Sequence, residues 1–205
     1  MISWSRRVGV LLVGGVVFAE ALGGCSSNKP DDASPSSPVS VRTSSTPSPS
    51  VSLSSEDQAQ ADAEEAVQEY FRVWNKAQQD PVGYDWDRLK TVATDTALSD
   101  LQSSLASSID QNAHAVGDLK VEWIKVAPNG VDLTDNQTIT PPDVPHVQLR
   151  VCYDVSAVDV VTNDGTSVVQ PGRKDRAVLQ VGVSNYEYPQ GSWRVAWTQQ
   201  TEETC

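Results

Sequence analysis

The 205 residues include only two histidines, three cysteines, two phenylalanines and one methionine. That scarcity excludes several chemistries. A zinc or iron site needs a cluster of His, Cys and carboxylate at ligand spacing, whereas His114 and His146 stand alone and no Cys-x-x-Cys occurs. His114 is expected near the end of a helix and His146 at a strand entrance, both as structural residues. There is no Gly-rich phosphate loop and no nucleophile elbow, so no cofactor or metal is called for. Basic residues are also short, 15 against 27 acidic. A surface of that sign repels nucleic acid and anionic lipid headgroups.

No apolar run reaches the roughly twenty residues of a transmembrane helix. Val8 to Leu22 comes nearest and is interrupted by glycines and Glu20. With Arg6 and Arg7 before it and small residues after it, residues 1–24 have the layout of a secretory signal. Leu22-Gly23-Gly24-Cys25 closes the run and resembles a bacterial lipobox. In such a box the leucine fills an apolar peptidase subsite, the glycines lie flat in a narrow cleft, and the thiol accepts a diacylglycerol. Cys25 is therefore expected to be lipidated and to become the mature N-terminus. One acyl chain binds membranes weakly, whereas a multiply acylated cysteine holds firmly. The location implied is the extracytoplasmic face of the cell membrane, with the membrane as one partner. Without residues 1–24 the chain carries 13 basic and 26 acidic side chains, net −13.

Residues 25–55 read as a lipidated cysteine followed by a disordered linker. Of residues 26–55, 20 are Ser, Thr or Pro. Such a segment cannot bury enough surface to offset its ordering entropy. Its reach lies between about 30 Å as a coil and about 90 Å as extended polyproline II. The remainder, 56–205, has the size of one domain.

Ser55 with Gln58 fits a capping box for a helix ending at Asp80-Pro81. Its apolar face runs Ala59, Ala63, Ala66, Val67, Tyr70, Phe71, Trp74, Ala77. A short helix over Trp86–Val92 follows, then a third from Thr94 or Asp95 to about Ala113. Beyond Gly117 the period changes to two. Leu119, Val121 and Trp123 share a face, and the phase slip at Ile124 and Val126 suggests a bulge. Pro128-Asn129-Gly130 reads as a turn. His146–Val155 is the cleanest strand, with Val147, Leu149, Val151, Tyr153 and Val155 on one face and Cys152 and Asp154 on the other. Val158–Val161, the Asn163-Asp164-Gly165 turn and Val168-Val169 form an expected hairpin. Ala177–Val183 alternates again, and Trp193, Val195 and Trp197 share a face of the last strand. Three helices before about five strands is α+β.

This order of elements resembles the NTF2-like, or cystatin-like, α+β cone, in which helices pack on a curved antiparallel sheet. More narrowly it is similar to actinobacterial lipoproteins with an NTF2-like ectodomain. The matching pieces are Val151-Cys152-Tyr153-Asp154-Val155, the Asp164-Gly165 hairpin, Gly191-Ser192-Trp193-Arg194-Val195 and Cys205. That fold supports enzymes, carriers and inert assembly modules, so it does not by itself imply a function.

With Cys25 lipidated, Cys152 and Cys205 remain in an oxidising compartment, and a disulfide between them is the economical reading. It would lie on the polar face of the sheet and pin Thr198–Cys205 there. Tyr70, Trp74 and Trp123 are the candidates to line an apolar pocket for a small hydrophobic ligand; the alternative is that these aromatics are core. Enzymes of the resembling fold place an Asp with a Tyr inside the cone, which nominates Tyr70, Asp118, Tyr153 and Asp154. Asp154, however, should point outward. The preferred reading is a non-catalytic envelope binding or assembly module with an envelope protein partner. Its rivals are a hydrophobic-ligand carrier and a small isomerase or hydrolase.

Overall fold

A computed structural model describes residues 53–205. The expected signal segment 1–24, the expected lipidation site Cys25 and the expected linker up to residue 52 lie outside the described residues. The described part is α+β: three helices and six strands, with the helices against antiparallel sheet.

Helix α1 (Ser55–Gln79) begins one residue earlier than the expected box. Ser54, not Ser55, is the N-cap, and its hydroxyl accepts from the Asp57 backbone N–H at 3.1 Å. Gln58 turns away and donates to Asp62. Glu56 and Asp57 suit the positive end of the helix dipole, and Lys76 the negative end. The buried stripe starts with Ala59 and Ala63, carries Tyr70, Phe71 and Val73 in its second half and closes on Ala77, so the helix approaches its neighbours closely at its start and fills more space further on. A 3-10 turn (Trp86–Arg88) leads into α2 (Leu89–Val92) and then α3 (Asp95–Asp110), whose Ala97, Leu101 and Leu105 are buried.

The third helix stops at Asp110 rather than near Ala113. Asn112 takes a left-handed φ of 51° and turns the chain, a conformation asparagine tolerates better than most residues. Ala113–Val116 is then a strand, β1, and His114 lies on it instead of at a helix end.

Strands β2 (Lys120–Asp132), β3 (His146–Asp154), β5 (Arg176–Ser184) and β6 (Arg194–Gln200) form one antiparallel sheet in the order β2-β3-β5-β6. Strand β4 (Asp159–Thr162) leaves it and pairs with β1 in a two-stranded sheet. The expected turn at Asn163-Asp164-Gly165 closes, with the Gly165 N–H on the Thr162 carbonyl at 2.8 Å and φ of 85° at Gly165. Val168-Val169 forms no strand of its own; the return arm meets β4 through a bridge at Ser167, the Val168 N–H on Val160, the Thr162 N–H on Thr166 and the Ser167 hydroxyl on Asp159.

Pro128-Asn129-Gly130 does not separate two strands. It bulges within β2, Asn129 taking φ 54°, and pairing resumes at Val131 opposite Val147. A Cβ on Gly130 would lie 2.6 Å from the Gln148 carbonyl oxygen, so the strands meet there because the residue has no side chain.

Val147, Leu149, Val151, Val181, Val183 and Val195 line the inner face, each no more than 1% exposed, and belong to one core with α1 and α3. Two further bulges alter which side chains face inward. Glu122 is the extra residue in β2, so Val121 pairs with Tyr153 but Trp123 pairs with Cys152 on the opposite face; Ile124 and Val126 return inward. Ala196 is the extra residue in β6: Val195 pairs with Val183, Trp197 pairs with the outward Gly182, and Thr198 turns inward opposite Val181. Trp123 and Trp197 therefore leave the face on which simple alternation places them.

The outer face carries the Cys152–Cys205 disulfide. It is not a wet surface, because Cys152 and Val178 are each 1% exposed. The tail from Thr201 onward covers them. The Val178 carbonyl accepts from the Thr201 N–H at 3.1 Å, and the Val178 N–H donates to the Glu203 carbonyl at 3.2 Å. Arg150 pairs with the Glu203 carboxylate. Thr198 to Gln200, expected in the pinned tail, belong to β6.

Candidate functional site

Where α1 and α3 cross the open end of the inner face, the core gives way to a cleft of about 350 Å³. Tyr70, Phe71 and Trp74 reach it from α1, Asp100, Leu101 and Ser104 from α3, and Leu119, Tyr153, Leu179 and Thr198 from the sheet side. That volume is at the small end of ligand pockets.

Side-chain hydrogen bonds hold the frame. The Asn75 carboxamide donates to the Leu119 carbonyl at 2.9 Å and accepts from the Leu119 N–H at 3.1 Å. Gln78 donates to the Ser104 hydroxyl at 3.0 Å and accepts from the Ser108 hydroxyl at 3.1 Å, joining α1 to α3.

The cleft grades from apolar to charged. Leu101, Phe71 and Tyr70 are buried; Trp74, Tyr153, Leu119 and Leu179 are half-buried; Asp100 is exposed. Tyr70 and Phe71 meet edge to face with centroids 5.3 Å apart. Burial pushes the Tyr70 phenol well above its ordinary pKa, and the Asp100 carboxylate pushes it further. Burial likewise raises Tyr153, opposed by Arg173. Both phenols stay neutral and available as donors at physiological pH. Among the described residues, the Tyr70 and Tyr153 hydroxyls, the Trp74 indole N–H and the Asp100 carboxylate have no hydrogen-bond partner.

Of the three nominated ligand residues, the structure brings Tyr70 and Trp74 together and leaves Trp123 out. Trp123 lines a separate groove along the β2 edge with Phe71 and Asn75, and Lys125 Nζ sits 4.7 Å from its ring centroid. The cause is the bulge at Glu122. The four residues nominated for acid–base work are also divided. Tyr70 and Tyr153 share the cleft. Asp118 accepts from Gln79 at 2.9 Å near the end of α1. Asp154 points outward, as alternation requires, where it accepts from the Ser156 N–H at 2.7 Å and from Arg176 Nε at 2.8 Å. Those hydrogen bonds, the Ser156 ones foremost, lower its pKa to about 2, which suits a permanent anion and not a proton donor.

Sequence reasoning missed Asp100, Ser104 and Thr198. Asp100 and Ser104 lie next to and one turn after the buried Leu101 of α3, and that neighbourhood is the only local signal they carry. Thr198 turns inward only because of the bulge at Ala196. His146 opens β3 as expected, its Nδ1 3.1 Å from the Val144 carbonyl oxygen. Among the described residues, no group of three or more His, Cys, Asp or Glu is placed to hold a metal ion, and no helix is long and apolar enough to cross a membrane.

No protein-family model and no curated protein matches the chain. Among solved structures, the intermembrane-space region of the chloroplast protein ARC6 is similar at 11% identity with a TM-score of 0.43, over 69% of this chain and 95% of that one.

Proposed function

We propose that this chain is a lipid-anchored extracytoplasmic protein, of the actinobacterial lipoprotein type, whose NTF2-like ectodomain is a non-catalytic binding or assembly module of the cell envelope. The observation that carries the reading is the filled inner face. Six aliphatic side chains, none more than 1% exposed, fill most of the inner face against the helices and leave a cleft only at its end. The Cys25 box and the Ser/Thr/Pro linker support the anchor. Val116 and Val168, 50% and 44% exposed beside the β1–β4 sheet, supply apolar surface for a protein partner. Two measurements test this. Cys25→Ala should move the protein from the membrane fraction to the soluble extracytoplasmic fraction, and retention on membranes would refute the anchor. A photocrosslinking residue at Val116 should yield a discrete adduct with an envelope protein, absent when the residue is placed at exposed Glu56; a smear identical at both positions would count against assembly.

The rim cleft favours a second reading, a carrier of a small ligand held by Tyr70 and Trp74. Native mass spectrometry after exposure to a lipid extract of the host envelope distinguishes it. A stoichiometric adduct that Trp74→Ala abolishes supports the carrier; a clean unliganded mass removes it.

A further inference from the structure

We propose that the rim cleft is a site for a small organic cation of the tertiary or quaternary ammonium class. The proposal rests on the carrier reading of the same cleft and specifies the chemistry of what it holds.

The rings of Tyr70, Trp74 and Tyr153 come from two elements, α1 and β3, and all line one cavity. Aromatic faces carry negative charge density and attract a cation placed over them, most strongly when it is desolvated. Asp100 adds a full negative charge at the exposed side. No lysine or arginine lines the cleft. The nearby cation is Arg173, whose charge acts on Tyr153 but whose guanidinium is held on the Val155 and Val158 carbonyls, at 2.8 and 2.7 Å, and does not line the cleft. An anionic ligand would thus meet a carboxylate and no lining counter-charge. A neutral hydrophobe would pack on Leu101, Leu119, Leu179 and the rings, but would draw nothing from Asp100 or from the charge density of the ring faces. An ammonium bearing methyl groups uses all three: carbon against leucine, charge against the rings, and net attraction to Asp100. Tyr70 contributes a second feature. Its hydroxyl is free among the described residues, so it can accept or donate to a polar group carried beside the charge. The acidic balance of the whole chain, 27 carboxylates to 15 basic groups, raises the local concentration of any cation.

The test uses the full chain solubilised in an uncharged maltoside detergent. Choline and neohexanol, its uncharged carbon isostere, are titrated by calorimetry. Choline should bind saturably and at least about tenfold more tightly than neohexanol, the ratio expected for a desolvated cation–π contact with a nearby carboxylate. Asp100→Asn, an exposed change that leaves the core untouched, should weaken choline about tenfold and leave neohexanol unchanged. Trp74→Leu keeps apolar bulk but removes the π face, and should also weaken choline selectively, near-UV circular dichroism confirming that the domain is folded. Equal affinity for both probes, or indifference to Asp100→Asn, overturns the cation assignment while leaving the carrier reading in place. Absence of binding by both probes overturns the assignment; if the lipid-extract adduct is absent too, the carrier reading falls with it.

Discussion

The side chain of Asn75 satisfies both backbone groups of Leu119, 44 residues away, with bonds of 2.9 and 3.1 Å. The amide thereby fixes the start of the sheet against α1 at the wall of the cleft. Asn75→Ala leaves a part-buried N–H and C=O without partners. The expected cost is about 1–3 kcal/mol, since an unmade bond forfeits the desolvation of the group left behind. Urea denaturation checks it, and an unchanged midpoint would show that water substitutes freely at this site.

Trp197 lies over Gly182. A Cβ on that glycine would fall 2.0 Å from the indole Nε1. Gly182→Ala should expel the ring and destabilise by about 1–3 kcal/mol, the range for overpacking. In a Trp197→Ala background the same change should cost much less, because the two residues share one contact. Additive costs would mean that the glycine is needed for its backbone alone.

The Cys152–Cys205 bond closes a 53-residue separation. In the chain-entropy account that loop is worth about 4 kcal/mol. Cys152→Ala with Cys205→Ala should lower stability by that order and free the tail, read as faster amide exchange at Thr201 and Glu203. Unchanged exchange would assign the ordering of the tail to its hydrogen bonds with Val178.

Asp154 has a folded-state pKa of about 2, below its ordinary 3.8. A depressed carboxyl pKa contributes stability that is present above the unfolded value and lost as pH falls through the folded one. Stability should therefore decline between about pH 4 and pH 2. Asp154→Asn should flatten that part of the acid limb while leaving the slope at neutral pH alone. If the variant's acid limb overlays the parent's, other carboxylates govern it.

The cap of α1 separates sequence from structure by one residue. Ser54→Ala should cost about 1 kcal/mol, the usual value of a lost N-cap. Ser55→Ala, one position into the helix, should be near neutral. The reverse order in thermal melts would restore the box first read from Ser55 and Gln58.

The long-range pattern was legible because periodicity reports which face of an element is buried. The stripe of α1 and the alternation of Val147, Leu149 and Val151 each declare an inner face. Errors arose wherever the period broke. A bulge adds one residue and inverts every position after it, so Trp123 and Trp197 changed sides and Thr198 came inward. Turn-forming residues signal the ends of strands, yet Asn129 and Gly130 serve equally well inside one, where positive φ and a missing Cβ permit a bulge. Part of the cleft was legible, namely the aromatic residues of α1 and Tyr153. Asp100 was not, since a charged residue on a helix gives the same local signal whether it faces bulk water or the mouth of a cavity.

The sequence by itself determined the class of the domain, the approximate extent of its first helix and the central strands. These depend on local spacing and composition, which act before any long-range contact forms. Tertiary structure alone decided the rest: that β4 joins β1, that the inner face is filled, and that Tyr70, Trp74, Tyr153 and Asp100 share a cleft. Those outcomes depend on where bulges fall and on how α1 and α3 cross the sheet. Both are settled by packing between residues far apart in the chain, and neither leaves a period to read.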